Sequence, residues 1–268
     1  MHLFRFYFIS VIILFFALNK KANGQTTFGN DNKSGLSKIP ERKLTKHKVL
    51  VVPFEPRMYM SQIDHRINAE TKLDQKKIKQ SIRFGLDEEI HRSIKKKMEV
   101  ISFLDDTAKY KKDLYKTYST VQYKFEKIPD QTNYQAPKSE KEKKYVQKGQ
   151  LIAESDNQGK FMNAKFKDNT LLTDFQSHYK TDVFLFINQI DILTSEVPGS
   201  LNAHSYRTAT VHYTILNAEG KEINSGISSA DFPSTVNDPD KISSSYFSRI
   251  ADEIVSRMEK YLYPVEKK

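Results

Sequence analysis

The sequence predicts an α/β (α+β) fold: a mixed sheet of about five strands with helices packed on it, in the order β-α-β-α-β-β-β-α. Three observations predict it. Val183 to Ile187 is a continuous apolar run inside Asp182–Leu193, the mark of a strand buried on both faces. Ile78, Ile82, Leu86, Ile90 and Ile94 recur every four residues and form one stripe of a long amphipathic helix. From His204 to Leu216 polar and apolar residues alternate, and Asn217-Ala-Glu-Gly220 then makes a hairpin turn with glycine where positive φ is needed.

In chain order, Val49 to Val52 is a short buried strand stopped by Pro53. Phe54 to Ile67 holds Pro56 and several polar residues and reads as a loop. It lies just past a strand's carboxyl end, where open α/β sheets place their ligand sites. The long helix covers Lys72 to Lys97, and its Lys95-Lys96-Lys97 cluster suits the negative end of the helix dipole. Gly85 inside it costs about 1 kcal/mol relative to alanine, which points to close packing on the sheet. Glu99 to Leu104 is the next strand, ended by Asp105-Asp106. Strand, helix and strand form a βαβ unit, so the two strands are expected to be parallel.

Residues 107–167 form a long, partly disordered insertion between the second strand and the second core helix. Within it, Thr107 to Lys127 reads as a helix, with Tyr110, Leu114, Tyr118 and Val121 near helical spacing. Ile128 to Gln150, with Pro129, Pro137 and the charged run Lys138 to Lys144, reads as a mobile loop. Leu151 to Phe166 holds only short apolar pieces around Gly159. Asp168 then caps a helix running through Tyr179, with Leu171, Leu172, Phe175 and Tyr179 on one side.

The central strand enters the core at Val183 and emerges near Leu193, and Pro198-Gly199-Ser200 turns out of it. In the alternating strand Ala209, Val211, Tyr213 and Ile215 face the core. Tyr206, Thr208, Thr210, His212 and Thr214 form a wetter face. Lys221 to Ala230 returns as its partner, and Pro233 to Pro239 is loop. The last helix runs from Asp240 to about Leu262 on the stripe Ile242, Tyr246, Ile250, Ile254, Met258 and Tyr261.

The N-terminus reads as a signal for export. Met1 to Arg5 is positive, Phe6 to Leu18 is almost unbroken apolar, and Ala22-Asn23-Gly24 places small residues where a signal peptidase cuts. The expected organisation is a signal peptide at 1–24, a disordered lead at 25–47, one α/β domain at 48–262 and a short tail at 263–268. An uncleaved anchor is the rival reading, because Lys20 and Lys21 follow the apolar run directly. That run is short for a span, so no transmembrane span is expected after cleavage. With no cysteine among 268 residues, disulfides, thiolate metal sites and a lipid-bearing cysteine are all excluded. The net charge of +10 suits an anionic envelope polymer better than nucleic acid in an exported protein, although solubility alone also accounts for it.

Three local patterns resemble a known family. They are Val49-Leu-Val-Val-Pro-Phe54, the junction Tyr179-Lys-Thr-Asp-Val-Phe-Leu-Phe-Ile187, and the strand and hairpin Val211-His-Tyr-Thr-Ile-Leu-Asn-Ala-Glu-Gly-Lys-Glu-Ile223. Together they look like the α/β domain shared by the TolB N-terminal domain, the curli secretion protein CsgG and the lipoprotein activators of penicillin-binding proteins. The similarity spans Lys48 to Leu262 without Thr107 to Lys167. It implies an exported, non-enzymatic module that binds another envelope protein, with no catalytic residue, cofactor or metal. Those activators and the secretion protein carry a lipid-anchoring cysteine that this chain lacks, so no binding residue is carried over.

Candidates for chemistry are few. Glu88-Glu-Ile-His91 offers the acid and histidine spacing of half a di-iron site, but a second such pair is missing and solvated helix surface is the plainer reading. Asp105 and Asp106 stand past a strand end, where a turn or helix cap is the plainer role. His204 and His212 share a strand face, and Asp231 on the next strand is the nearest third ligand for a metal. An exported hydrolase would need two or more of Asp105, Asp106, His204, His212 and Asp231 to converge. The lysine-rich stretch Lys109 to Lys148 could contact an anionic polymer, although acids alternate with its lysines. The chain has no phosphate-binding glycine loop, nucleophile elbow or His-Glu-x-x-His motif.

Overall fold

The computed structural model describes residues 46–129, 131, 144–147, 150–153, 159–195 and 206–264. The signal and nearly all of the lead, the Pro198–Ser200 turn and His204 lie outside these residues. The strands are β1 (Lys48–Val52), β2 (Tyr59–Ser61), β3 (Glu99–Ser102), β4 (Gln122–Lys127), β5 (Lys144–Gln147), β6 (Gln150–Ala153), β7 (Lys160–Lys165), β8 (Val183–Ser195), β9 (Tyr206–Asn217) and β10 (Glu222–Pro233). The helices are α1 (Asp64–Thr71), α2 (Gln75–Lys95), α3 (Lys111–Thr120), α4 (Thr170–Tyr179) and α5 (Pro239–Leu262).

The main sheet has the order β10-β9-β8-β1-β3, with β2 added beside the far half of β8. β1 is parallel to both β3 and β8, while β8, β9 and β10 form an antiparallel meander. The mixed sheet and the order β-α-β-α-β-β-β-α are therefore as the sequence indicates. β8 is the middle strand because its first five residues have no polar face. Val183, Leu185 and Ile187 enter one core with Val49, Val51 and the stripes of α2 and α5. Phe184 and Phe186 enter a second core with Leu50, Val52, Phe103, Leu171 and Phe175. Asp182 fastens the start of β8 to β1. Its Oδ1 accepts from the Lys48 N–H at 2.8 Å, and its own N–H donates to the Lys48 carbonyl.

The register of β8 against β9 shifts between Ile187 and Gln189. A bulge there absorbs one residue, so Ile190 and Ile192 fall on the same face as Ile187 despite the odd spacing. Beyond it β8 outruns β1 and pairs with β2, Tyr59 opposite Ile190 and Ser61 opposite Ile192. Phe54 to Ile67 is therefore not a plain loop. It holds a 3-10 turn at Pro56–Met58, β2 and the start of α1.

Three helices, α2, α4 and α5, start beside an aspartate that accepts from an early amide. Asp74 accepts from the Lys77 N–H ahead of α2. Asp238 accepts from the Asp240 and Lys241 N–H groups ahead of α5, with Pro239 in the first turn. Asp168 accepts from the Thr170 N–H at the start of α4. Gly85 packs against α5 rather than the sheet: a Cβ there would overlap the Ser243 side chain. Among the described residues, no helix is long and apolar enough to cross a membrane.

The largest departure lies within 107–167. The helix expected to reach Lys127 stops at Thr120, where Val121 turns extended, and the chain continues as β4. β4 pairs antiparallel with β7, and β5, in the stretch expected to be a mobile loop, pairs with β6, which extends into the short apolar pieces after it. β7 lies on the supposedly wet face of β9. The Met162 N–H donates to His212 Nδ1 at 2.8 Å and the Ala164 N–H to Thr214 Oγ1 at 3.0 Å. Asn188, at the bulge, donates to the Met162 carbonyl and to Thr214 Oγ1, and Thr214 donates to Asn163 Oδ1. Asn163, Asn188 and Thr214 are fully buried, and these bonds engage all three, although Asn188 Oδ1 has no partner.

Candidate functional site

The parallel strands β1 and β3 are adjacent, but their connections leave to opposite faces. α2 packs on the Val49–Val51 side and α4 on the Leu50–Val52 side. The crevice past the carboxyl ends of such a strand pair is the usual ligand position in an open α/β sheet. Here it holds a polar cluster built by α2, α3 and the loops after β1 and β3.

Arg83 of α2 donates from Nε to the Phe54 carbonyl at 2.9 Å and from Nη2 to the Tyr118 hydroxyl of α3 at 2.7 Å. Tyr118 in turn donates to the Pro53 carbonyl at 2.7 Å. One helical turn beyond Arg83, Asp87 is buried, and its Oδ1 accepts from the Ser102 hydroxyl at 2.7 Å. The Ser102 N–H donates to Asp105 Oδ2 at 2.8 Å, and the Leu104 N–H donates to Ser102 Oγ. Two carboxyl groups therefore bracket one fully buried serine. His91 Nδ1 lies 3.4 Å from Asp105 Oδ1.

Burial pushes the Asp87 carboxyl up to about 7. The neighbouring Asp105 adds to the rise, while the Ser102 hydroxyl and the Arg83 charge oppose it. Burial also raises Tyr118 well above the usual phenol range, despite Arg83 beside it. The Ser102 hydroxyl is committed to Asp87 and Leu104, so this cluster ties helix to strand ends and can hold a proton.

The sequence candidates take other roles. Glu88 and Glu89 both bind Arg92, at 3.0 and 2.7 Å, while His91 turns to Asp105, so no acid–histidine ligand pair forms. Asp106 accepts from the Ala108 and Lys109 N–H groups, a turn cap. His212 accepts at Nδ1 from Met162, and its Nε2 lies 3.1 Å from Asp191 Oδ2. Both ring nitrogens are engaged, which leaves no lone pair to draw a proton from a nucleophile. Asp231 sits opposite Thr208 and accepts from its hydroxyl, whereas His212 sits opposite Ile227, so Asp231 and His212 do not meet. Among the described residues, no group of three or more His, Asp or Glu side chains is placed to hold a metal.

In the lysine-rich stretch, Lys116 pairs with Asp174 at 2.7 Å. Lys109 lies over the Tyr110 ring. Residues 132–143, which carry most of its charged run, lie outside the described part of the chain.

Sequence reasoning missed Asp87 and Arg83. Their one-turn spacing on the flank of the apolar stripe was the available signal, but only tertiary packing buries one of them. It also missed the surface at the far end of the sheet. Met60, Leu193 and Tyr206 are 54%, 45% and 48% exposed. The pairing of Met60 with Asp191, Leu193 with Thr208 and Ser195 with Tyr206 sets all three on one face.

No protein-family model matches the chain, and no curated protein matches it. Two solved structures align over most of its length. The crystal structure of lipoprotein GNA1162 from Neisseria meningitidis is 13% identical, with 79% of this chain and 94% of that chain covered and a TM-score of 0.35. The hypothetical protein CT253 from Chlamydia trachomatis is 11% identical, with 82% and 99% covered and a TM-score of 0.36. Neither likeness reaches the level at which two chains share one arrangement of elements.

Proposed function

We propose that this chain is an exported, non-enzymatic module of the cell envelope that docks another protein at the far end of the β8–β9 meander. The observation that carries the reading is the exposed row Met60, Leu193 and Tyr206, three large side chains on one face where the long antiparallel strands run past β1. The signal-like residues 1–24 support export. The three motifs that resemble the TolB N-terminal, CsgG and penicillin-binding-protein-activator domains support a binding role.

The test is capture from an envelope extract by the full chain and by a triple variant, Met60→Asp, Leu193→Asp and Tyr206→Ser. Wild type is expected to retain a stoichiometric protein partner that the variant loses, with thermal unfolding unchanged. Equal capture by both proteins would remove the docking surface. Substrate turnover by the pure protein with no partner recovered would remove the reading altogether.

A further inference from the structure

We propose that Asp87 is the sensor of a pH-sensitive latch that fastens α3 to the carboxyl end of the parallel strands. Its carboxyl is buried between α2 and β3 and bonded to Ser102, with the Asp105 carboxylate bound to the same serine. Two like charges that close oppose each other's ionisation. The cation best placed to relieve Asp87 is Arg83, one turn earlier on the same helix. Arg83 directs its donors elsewhere, to the Phe54 carbonyl and to Tyr118. The charged and titratable groups facing the site are Arg83 and His91 from α2, Asp105 after β3, Tyr118 from α3 and Glu55 after β1.

While Asp87 holds its proton it is neutral, and Arg83 stays on Phe54 and Tyr118. When that proton leaves to solvent, a full negative charge appears one helical turn from the guanidinium, the spacing at which acidic and basic side chains pair. Arg83 then turns toward Asp87, Tyr118 loses its donor, and the hold of α3 on the loop after β1 weakens. α3 leads directly into β4, so the latch also sets how firmly the β4–β7 hairpin sits. Burial of Asp87 places the transition near neutral pH.

Hydrogen exchange of the full chain between pH 6 and 8, corrected for the intrinsic pH dependence of amide exchange, tests this. Protection of Lys111–Lys127 is expected to fall about tenfold, with a midpoint near neutrality. Asp87→Asn should stay protected at both pH values, and Arg83→Gln should be unprotected at both. A flat wild-type profile, or a transition that survives in Asp87→Asn, overturns the latch. Should Asp87→Asn fail to fold, Asp105→Asn removes the opposing charge from an exposed site. A downward shift of the midpoint then supports the latch, and an unmoved midpoint overturns it.

Discussion

Gly85 of α2 and Ser243 of α5 touch so closely that a methyl group on the glycine would occupy the position of the serine side chain. This contact sets the spacing of the two helices over one face of the sheet. In an isolated helix Gly85→Ala would gain up to about 1 kcal/mol. Here the overlap dominates, and Gly85→Ala is expected to destabilise by about 1–3 kcal/mol in urea unfolding. Combining it with Ser243→Gly should recover more than half of that loss, since the two substitutions act on one contact.

The two cores meet at β8, so single truncations there are expected to be severe. Leu185→Ala opens a void on the α2–α5 side and Phe184→Ala one on the α3–α4 side. Each should cost about 3–5 kcal/mol by equilibrium denaturation. Leu193→Ala, near the exposed end of the same strand, should stay within about 0.5 kcal/mol of wild type.

The Asp87 carboxyl titrates from an ordinary value of 3.8 when unfolded to about 7 when folded. Between those values the native state binds the extra proton, so this group's contribution to stability declines as pH rises from about 4 to about 7 and is constant above. Asp87→Asn removes that slope. Denaturation at pH 5 and pH 8 should therefore show the variant gaining about 2–4 kcal/mol on wild type at the higher pH.

His212 holds the β4–β7 hairpin to the sheet through the Met162 N–H and is itself oriented by Asp191. His212→Leu leaves that amide unpartnered in the interior and should destabilise by about 1–3 kcal/mol. Amide exchange should accelerate in Lys160–Lys165 while α5 keeps its protection, a pattern that separates a loosened hairpin from global unfolding.

What could be read from the sequence was what local periodicity encodes. The apolar run of β8, the four-residue stripe of α2, the Asn217–Gly220 turn and the stripe of α5 each specify their element without help from the rest of the chain. β2 could not be found this way, since three residues, Tyr59–Ser61, become a strand only by pairing with Ile190–Ile192. β4 and β7 are polar segments whose conformation depends on each other and on the face of β9 beneath them. Thr214 reads as part of a wetter face for the same reason, since residues far away in sequence supply its partners. Asp87 belongs to this class. The nearby Glu88 and His91 have a metal-ligand spacing, whereas Asp87, beside them on the helix, is withdrawn from water and bonded to Ser102.

The bulge at Asn188 has a consequence for how this strand tolerates change in length. Upstream of it odd-numbered residues lie under α2 and α5, and downstream even-numbered ones do. Removing the single extra residue would exchange inside for outside along the whole outer half, driving Asp191 into the apolar layer and turning Ile190 and Ile192 to water. An insertion or deletion of two residues preserves the phase, so the outer half of the meander can lengthen or shorten in pairs while the inner half keeps its packing.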